Sequence, residues 1–416
     1  MDLDQLAALR TPVGVAALAA AADVAGGDPL AAATALRSAG LPGPLAATAL
    51  TQAELRRRAV GKFGPAAAGM FFTRSGLEQA TRSVVADRRA RRLRDAGVRT
   101  LADLGCGLGA DALAAARAGI RVYGVEADPT TAALAAANAE AAGLAACFTV
   151  ECADATGFDP TGLDAVFCDP ARRATGGRRI FDPAAYSPPW DFVLGLARRV
   201  PYTVVKVAPG LDHRLIPPGA EAEWVSVDRD LVEAALWCGP LAGPARRATV
   251  LRTARESAGP IPVQPAGGTG SGRVAVAQLT GTGAVQAPVG PVRRYVHDPD
   301  GAVVRAHLVA EFAEGVAGSL ADPDIAYVYA DTATPTPFAR CLEVTDVLPF
   351  SLKRLRGLLR GRRVGRVEIL KRGSALDPER LRHDLRLSGD EPASLVLTRV
   401  AGAPTVLVCR PVSPTG

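Results

Sequence analysis

In 416 residues the chain has only four lysines and four histidines, and its seven cysteines form no C-x-x-C pair. His213, His297, His307 and His383 are far apart in sequence and cluster with nothing, so no metal site is expected. Scattered thiols also argue against a disulfide framework and fit a reducing cytoplasm. Long apolar runs are missing too. The stretch from Val13 to Ala22 is too short to span a bilayer. Asp2 and Asp4 stand where a secretory signal would carry basic residues, so export is not expected.

What is present suggests several folded units. A chain of this length exceeds one core, and its 48% hydrophobic content can supply two to four domains. The formal charge of +6 is unevenly placed. From Pro349 to Gly416 there are 14 Arg and Lys against 6 Asp and Glu, an excess larger than that of the whole chain. Such a terminal module points to a polyanion, RNA or DNA, bound through its phosphates. The scarcity of lysine leaves a second explanation open, a compositional bias toward arginine.

The most informative stretch is Leu101-Ala-Asp-Leu-Gly-Cys-Gly-Leu-Gly-Ala-Asp111. An alternating strand pattern runs into Gly105, Gly107 and Gly109, and an alanine-rich helical pattern follows. Strand, glycine turn and helix N-terminus together let a nucleoside cofactor approach the backbone closely. The spacing fits a methyl-donor G-x-G-x-G, and Gly105, Gly107 and Ala110 also fit a dinucleotide G-x-G-x-x-A. Downstream, Glu126 ends the next strand 21 positions after Gly105, where an acid takes ribose hydroxyls. Asp154 follows the third strand and can accept from an exocyclic amine. Strand four ends in Asp169-Pro170-Ala171-Arg172-Arg173. Proline stiffens that turn, the carboxylate of Asp169 meets the cleft, and the two arginines can hold a phosphate. Lys206, inside an apolar strand, must be paired or point into the cleft.

Alternation of strand and helix from 98 to 253 predicts a mostly parallel sheet covered on both faces. Segments 223–227, 233–237 and 248–251 read as strands six and seven, joined by the loop around Gly239-Pro240 and suited to an antiparallel last pair. That ending favours methyl transfer over a nicotinamide domain. Residues 1–97 read as a helical region in which Ser75 and Glu78 make a capping box for a helix running through 88–94. Phe71 and Phe72 ahead of it are either a cover over the ligand or a plug between domains. Residues 174–183 form a polar loop suited to a substrate mouth. The Gly- and Pro-rich stretch 254–291 reads as a linker with one strand at 273–279, followed by a small α+β unit at 292–348 and the basic module at 349–416.

Leu104-Gly-Cys-Gly-Leu-Gly109, Glu126 and Asp169-Pro-Ala-Arg-Arg173 resemble a class I S-adenosylmethionine-dependent methyltransferase. Phe72-Thr-Arg-Ser-Gly-Leu-Glu-Gln-Ala-Thr81, Pro335-Thr-Pro-Phe338 and Val367-Glu-Ile-Leu-Lys-Arg-Gly373 resemble a bacterial group in which that domain precedes ferredoxin-like and THUMP-like units. The resemblance implies an α/β protein with a Rossmann-like, seven-stranded sheet, an N-terminal helical arm and C-terminal α+β modules. It implies S-adenosylmethionine as cofactor, held by Asp103, Gly105, Gly107 and Gly109, with Glu126 on the ribose and Asp154 on the adenine. Asp169 and Pro170 would face the acceptor, and Arg172 and Arg173 its phosphate. By analogy with true THUMP modules, Lys353, Arg354, Lys371 and Arg372 would bind RNA, a tRNA or rRNA. One departure concerns the acceptor. Amino-directed enzymes often continue Asp-Pro with proline and an aromatic that stacks on the base, whereas here Ala171 and Arg172 stand there. A cysteine route to carbon would need Cys168, expected to be buried, or Cys238. The rival readings are a methyltransferase for a small molecule or protein, and a non-catalytic RNA-binding protein with a relict cofactor fold.

Overall fold

The computed structural model describes residues 1–172, 186–253 and 274–412, with the backbone alone at Ala171 and Arg172. Six helices precede the first strand: α1 (Leu3–Leu9), α2 (Pro12–Val24), α3 (Pro29–Ser38), α4 (Gly43–Phe63), α5 (Arg74–Gln79) and α6 (Ser83–Asp95). Among the described residues no single helix is long and apolar enough to cross a membrane. Prolines at the first turns of α2 and α3 follow capping Thr11 and Asp28, since a missing N–H costs nothing there. The helix expected from Ser75 through residue 94 is two helices. Thr73 caps the first, its Oγ1 accepting from the Gly76 amide at 3.0 Å. α5 then stops because Lys62 takes its end: Nζ donates to the carbonyls of Leu77, Glu78 and Ala80 at 2.7, 2.7 and 3.0 Å, groups a helix terminus leaves unpaired.

The central sheet is built from β1 (Thr100–Leu104), β2 (Arg121–Glu126), β3 (Phe148–Cys152) and β4 (Ala165–Cys168), with α7 (Ala110–Arg117) and α8 (Pro129–Ala141) between them. Next come the short pair β5 (Ala171–Arg172) and β6 (Tyr186–Ser187), then α9 (Trp190–Arg199). β7 (Tyr202–Val207), β8 (Glu221–Val227), β9 (Asp230–Trp237), β10 (Arg246–Arg252) and β11 (Ala275–Gly281) complete it. The order is β3-β2-β1-β4-β7-β9-β8-β10-β11. β9 enters antiparallel between β7 and β8 because Asp228 and Arg229, at φ 49° and 71°, make the tight hairpin turn that positive φ permits. The sheet therefore has nine strands where seven are expected, and its antiparallel hairpin turns at Asp228 and Arg229, not at the loop around Gly239-Pro240, since β9 and β10 are not paired. β10 pairs parallel with β8, and β11, from the stretch read as a linker, pairs antiparallel with β10.

The remaining chain forms β12 (Tyr295–Pro299), α10 (Gly301–Arg305), α11 (Val309–Gly315), β13 (Ser319–Leu320), β14 (Val328–Ala330) and β15 (Ala339–Pro349). It ends with α12 (Leu352–Gly361), β16 (Val364–Lys371), α13 (Pro378–Leu385), β17 (Glu391–Val400) and β18 (Ala403–Pro411). Their seven strands make one sheet, β13-β14-β12-β15-β18-β17-β16. The division expected between 348 and 349 thus cuts across a shared sheet, since β18 returns to pair with β15 from Leu342 to Pro349. The two sheets are also packed together. One face of the central sheet lies under α6, α7, α8 and the N-terminal helices. The other is covered by α9 and by α10 and α11, whose Val303, Leu308 and Phe312 share a core with Trp224 and Leu236.

Candidate active site

β1 is flanked by β2 and β4, the point where strand order reverses and an open α/β sheet leaves a crevice. Gly105, Gly107 and Gly109 turn the chain there at φ 83°, 55° and 83°. Two of them are required by space as well. A Cβ on Gly105 would lie 3.2 Å from the Asp169 carbonyl, and one on Gly109 would lie 2.8 Å from the Phe148 ring. Gly107 has nothing within 4 Å on that side.

The turn opens into a cavity of about 630 Å³. Asp103, Gly105, Gly107, Glu126, Asp154, Asp169 and Pro170 all line it, whereas Gly109, whose Cβ side meets the Phe148 ring, does not. Glu126 is fixed by the turn itself, accepting from the Gly107 and Asp128 amides at 3.0 Å each. Asp154 Oδ1 accepts from the amide and hydroxyl of Thr156 at 2.8 and 2.6 Å. Each oxygen of Glu126 keeps a further lone pair for a ligand's hydroxyl. Arg172 pairs through its backbone with Tyr186. Arg173 and the 174–183 loop lie outside the described residues.

Asp103 is 1% exposed and neither carboxyl oxygen has a partner. Burial, with the charges of Asp111 and Asp169, pushes its pKa well above the usual carboxylate range, which favours the protonated form. At the cavity wall Lys206 Nζ donates to Asp169 Oδ2 at 2.6 Å. Burial lowers the Lys206 pKa, but Asp169, Asp111 and Glu233 outweigh it and the net direction is upward. Arg89, 3% exposed on α6, joins Asp111 and Glu233 in ion pairs and lies over the Phe167 ring. Burial opposes its charge, and those two carboxylates more than restore it.

Behind this wall is an ion network that sequence reasoning did not foresee. Arg92 makes a bidentate pair with Glu221 at 2.7 and 2.8 Å, and Arg88 meets Glu223 at 2.7 Å. Burial would raise both glutamates, but the arginines hold them below their usual range. The arginine-rich 88–94 stretch is therefore the clamp of α6 onto β8 and β9. The segment before it is clamped as well. Gln52 and Asn138 each bond both backbone polar groups of Phe72 and Phe71. Both rings are buried, as a plug between helical arm and sheet.

Burial pushes the Cys168 thiol well above its ordinary value and Cys238 up to about 11, which disfavours the thiolate that attack on carbon needs. Arg372 corrects another expectation. It donates to Asp298 Oδ1 at 3.0 and 2.8 Å and to the Pro299 carbonyl at 2.9 Å, which ties β16 to β12 instead of offering a free phosphate contact. Lys353, Arg354 and Lys371 are exposed. Nor do the histidines stay apart: His213 and His307 stack with ring centroids 3.7 Å apart.

A glycine turn at the switch point, acids in series along the strand ends and a cavity lining with six carboxyl groups against one lysine suit a cationic nucleoside cofactor. Unpartnered Asp103 and the open side of Gly107 fit S-adenosylmethionine. The fold and site define a class I-type methyltransferase. Residues 101–174 match the family described as "Methyltransferase domain", 339–411 the "THUMP domain-like" family, and 2–59 a "Domain of unknown function". Two curated relatives from Mycobacterium tuberculosis, strains CDC 1551 / Oshkosh and H37Rv, are each 36% identical over 376 residues, covering 86% of this chain and 95% of theirs. Both are named as uncharacterized S-adenosylmethionine-dependent methyltransferases, and the chain belongs to their family. A putative methyltransferase from Porphyromonas gingivalis W83 shares the fold over 99% of this chain and 100% of its own, with TM-score 0.70 and 20% identity.

Proposed function

We propose that this enzyme methylates a base nitrogen in RNA, tRNA or rRNA. The observation that carries the reading is the union, in one packed body, of a methyl-transfer cleft with a THUMP-like unit presenting exposed Lys353, Arg354 and Lys371. Bound S-adenosylmethionine supplies a methyl on a sulfonium. Gly105, Gly107 and Gly109 hold its methionine part beside Asp103, Glu126 takes the ribose and Asp154 the adenine. Transfer to nitrogen needs alignment more than acid-base machinery, and positioning alone lowers such barriers strongly. Lys206 occupies Asp169 Oδ2 and leaves Oδ1 to accept a hydrogen bond from the acceptor amine, which turns the nitrogen lone pair to the methyl. Pro170 stiffens that turn, and Arg172 and Arg173 hold the flanking phosphate. The test is transfer of labelled methyl from the cofactor to total RNA of a strain lacking the gene, by wild type and Asp169→Ala. Transfer lost in the mutant with cofactor binding kept supports the reading; absence of transfer by wild type to any RNA overturns it.

A further inference from the structure

The Phe72–Thr81 motif is not used up by the cofactor. A second chamber of about 470 Å³ adjoins the first, between the α5–α6 connection and β9. The two share Thr81, Lys206 and Glu233 as a common wall. The charges around the second chamber are largely spent. Lys62 is held by three carbonyls, Arg82 by Asp230 at 3.0 Å, Lys206 by Asp169 and Glu233 by Arg89. Val85, Leu231 and Val232 supply apolar surface. Thr81 stands apart: it is 5% exposed and its hydroxyl has no hydrogen-bond partner. A buried hydroxyl left unpaired costs free energy that a ligand can recover.

We propose that this chamber receives the reacting group of the acceptor, as a neutral, planar, hydrogen-bonding ring, with Thr81 Oγ1 as its recognition contact. A phosphate or carboxylate would find no uncommitted cation among the described residues that line it, and would face Glu78. A ring finds apolar walls and one hydroxyl, and Lys206 at the shared wall marks its way to Asp169. Resting on the RNA reading, this names the ring as a nucleobase turned out of its strand, since a stacked base cannot reach such a site. The motif's role is then to hold Thr81 at that wall, with Lys62 fixing the end of α5.

The experiment compares wild type with Thr81→Val, which removes only the hydroxyl, and Thr81→Trp, which fills the chamber. S-adenosylhomocysteine binding by calorimetry and methyl transfer to total RNA are both measured. The expected result is a KM for RNA raised about tenfold in the first variant, transfer reduced at least about a hundredfold in the second, and S-adenosylhomocysteine affinity within about threefold in both. Wild-type transfer by Thr81→Trp would overturn the chamber assignment while leaving the RNA reading intact. So would a parallel loss of S-adenosylhomocysteine binding, which would make Thr81 part of the cofactor site. If wild type transfers nothing to RNA, the RNA reading fails and saturation-transfer NMR with the four ribonucleosides, in the presence of S-adenosylhomocysteine, decides the chamber alone. Signals abolished by Thr81→Trp support it; no signal with wild type overturns it.

Discussion

Lys206 Nζ lies 2.6 Å from Asp169 Oδ2 and joins the ends of the neighbouring strands β7 and β4 at the cavity wall. A lysine inside an apolar strand is thereby accounted for, and the Asp169 carboxylate is held in one orientation. Lys206→Met should lower kcat about tenfold to a hundredfold with little change in cofactor affinity, because it frees the Asp169 side chain to rotate. Single-turnover transfer beside S-adenosylhomocysteine titrations checks this. Unchanged kcat would mean that the pair only fills space.

Arg89 is the point where the helical arm meets the cavity wall, between Asp111 and Glu233. Arg89→Met should cost about 3 kcal/mol or more of stability, since it leaves two carboxylates buried without their cation. Denaturant unfolding measures that loss. Replacing Asp111 with Asn should cost less, as Arg89 then keeps Glu233.

Burial favours the protonated form of Asp103 in the free protein. A sulfonium or ammonium placed beside it favours the ionised form, so binding S-adenosylmethionine should release a proton and its affinity should rise with pH. S-adenosylhomocysteine, without the sulfonium charge, should show a smaller effect. Calorimetry in buffers of different ionisation heat reads the proton count directly. Equal release with both ligands, or none, contradicts the assignment.

The stack of His213 on His307 marks the junction between the central sheet and α10. Burial, then the charges of His307 and Arg246, lower His213 to about 4, and burial lowers His307 as well. Both are depressed below their unfolded values, so the unfolded chain binds more protons on the acid side. Stability should be full above about pH 6.5 and fall as pH drops toward about 4. Unfolding midpoints across that window, compared with a His213→Asn variant, would show the slope and its reduction.

Lys353, Arg354 and Lys371 should contribute to affinity without touching the chemistry. Replacing all three with Ser should raise the KM for RNA, leave kcat unchanged, and reduce the salt dependence of binding by about two units on a log–log plot. An unchanged slope would place the RNA elsewhere.

Much of this was legible from residue order. Strand-glycine-helix periodicity located β1, the turn and α7, because local pattern alone forms them. Glu126 and Asp154 followed from their positions at strand ends. The ion network of Arg88, Arg89 and Arg92 was not legible, because its partners Glu221, Glu223 and Glu233 lie about 130 positions away. A basic run on a helix reads as solvated unless the facing strands show buried acids, and Glu221 and Glu223 alternating with apolar residues on β8 were that signal. Arg372 misled for a similar reason: Asp298 and Pro299, which hold it, belong to a distant strand. The helix break at Ala80 was hidden because the group that ends α5 is Lys62, fifteen or more positions upstream.

α10 and α11, from the C-terminal half, roof the same sheet whose edge holds the cleft. The catalytic half therefore has no complete surface of its own, and cutting the chain after β11 would lay Trp224 and Leu236 bare.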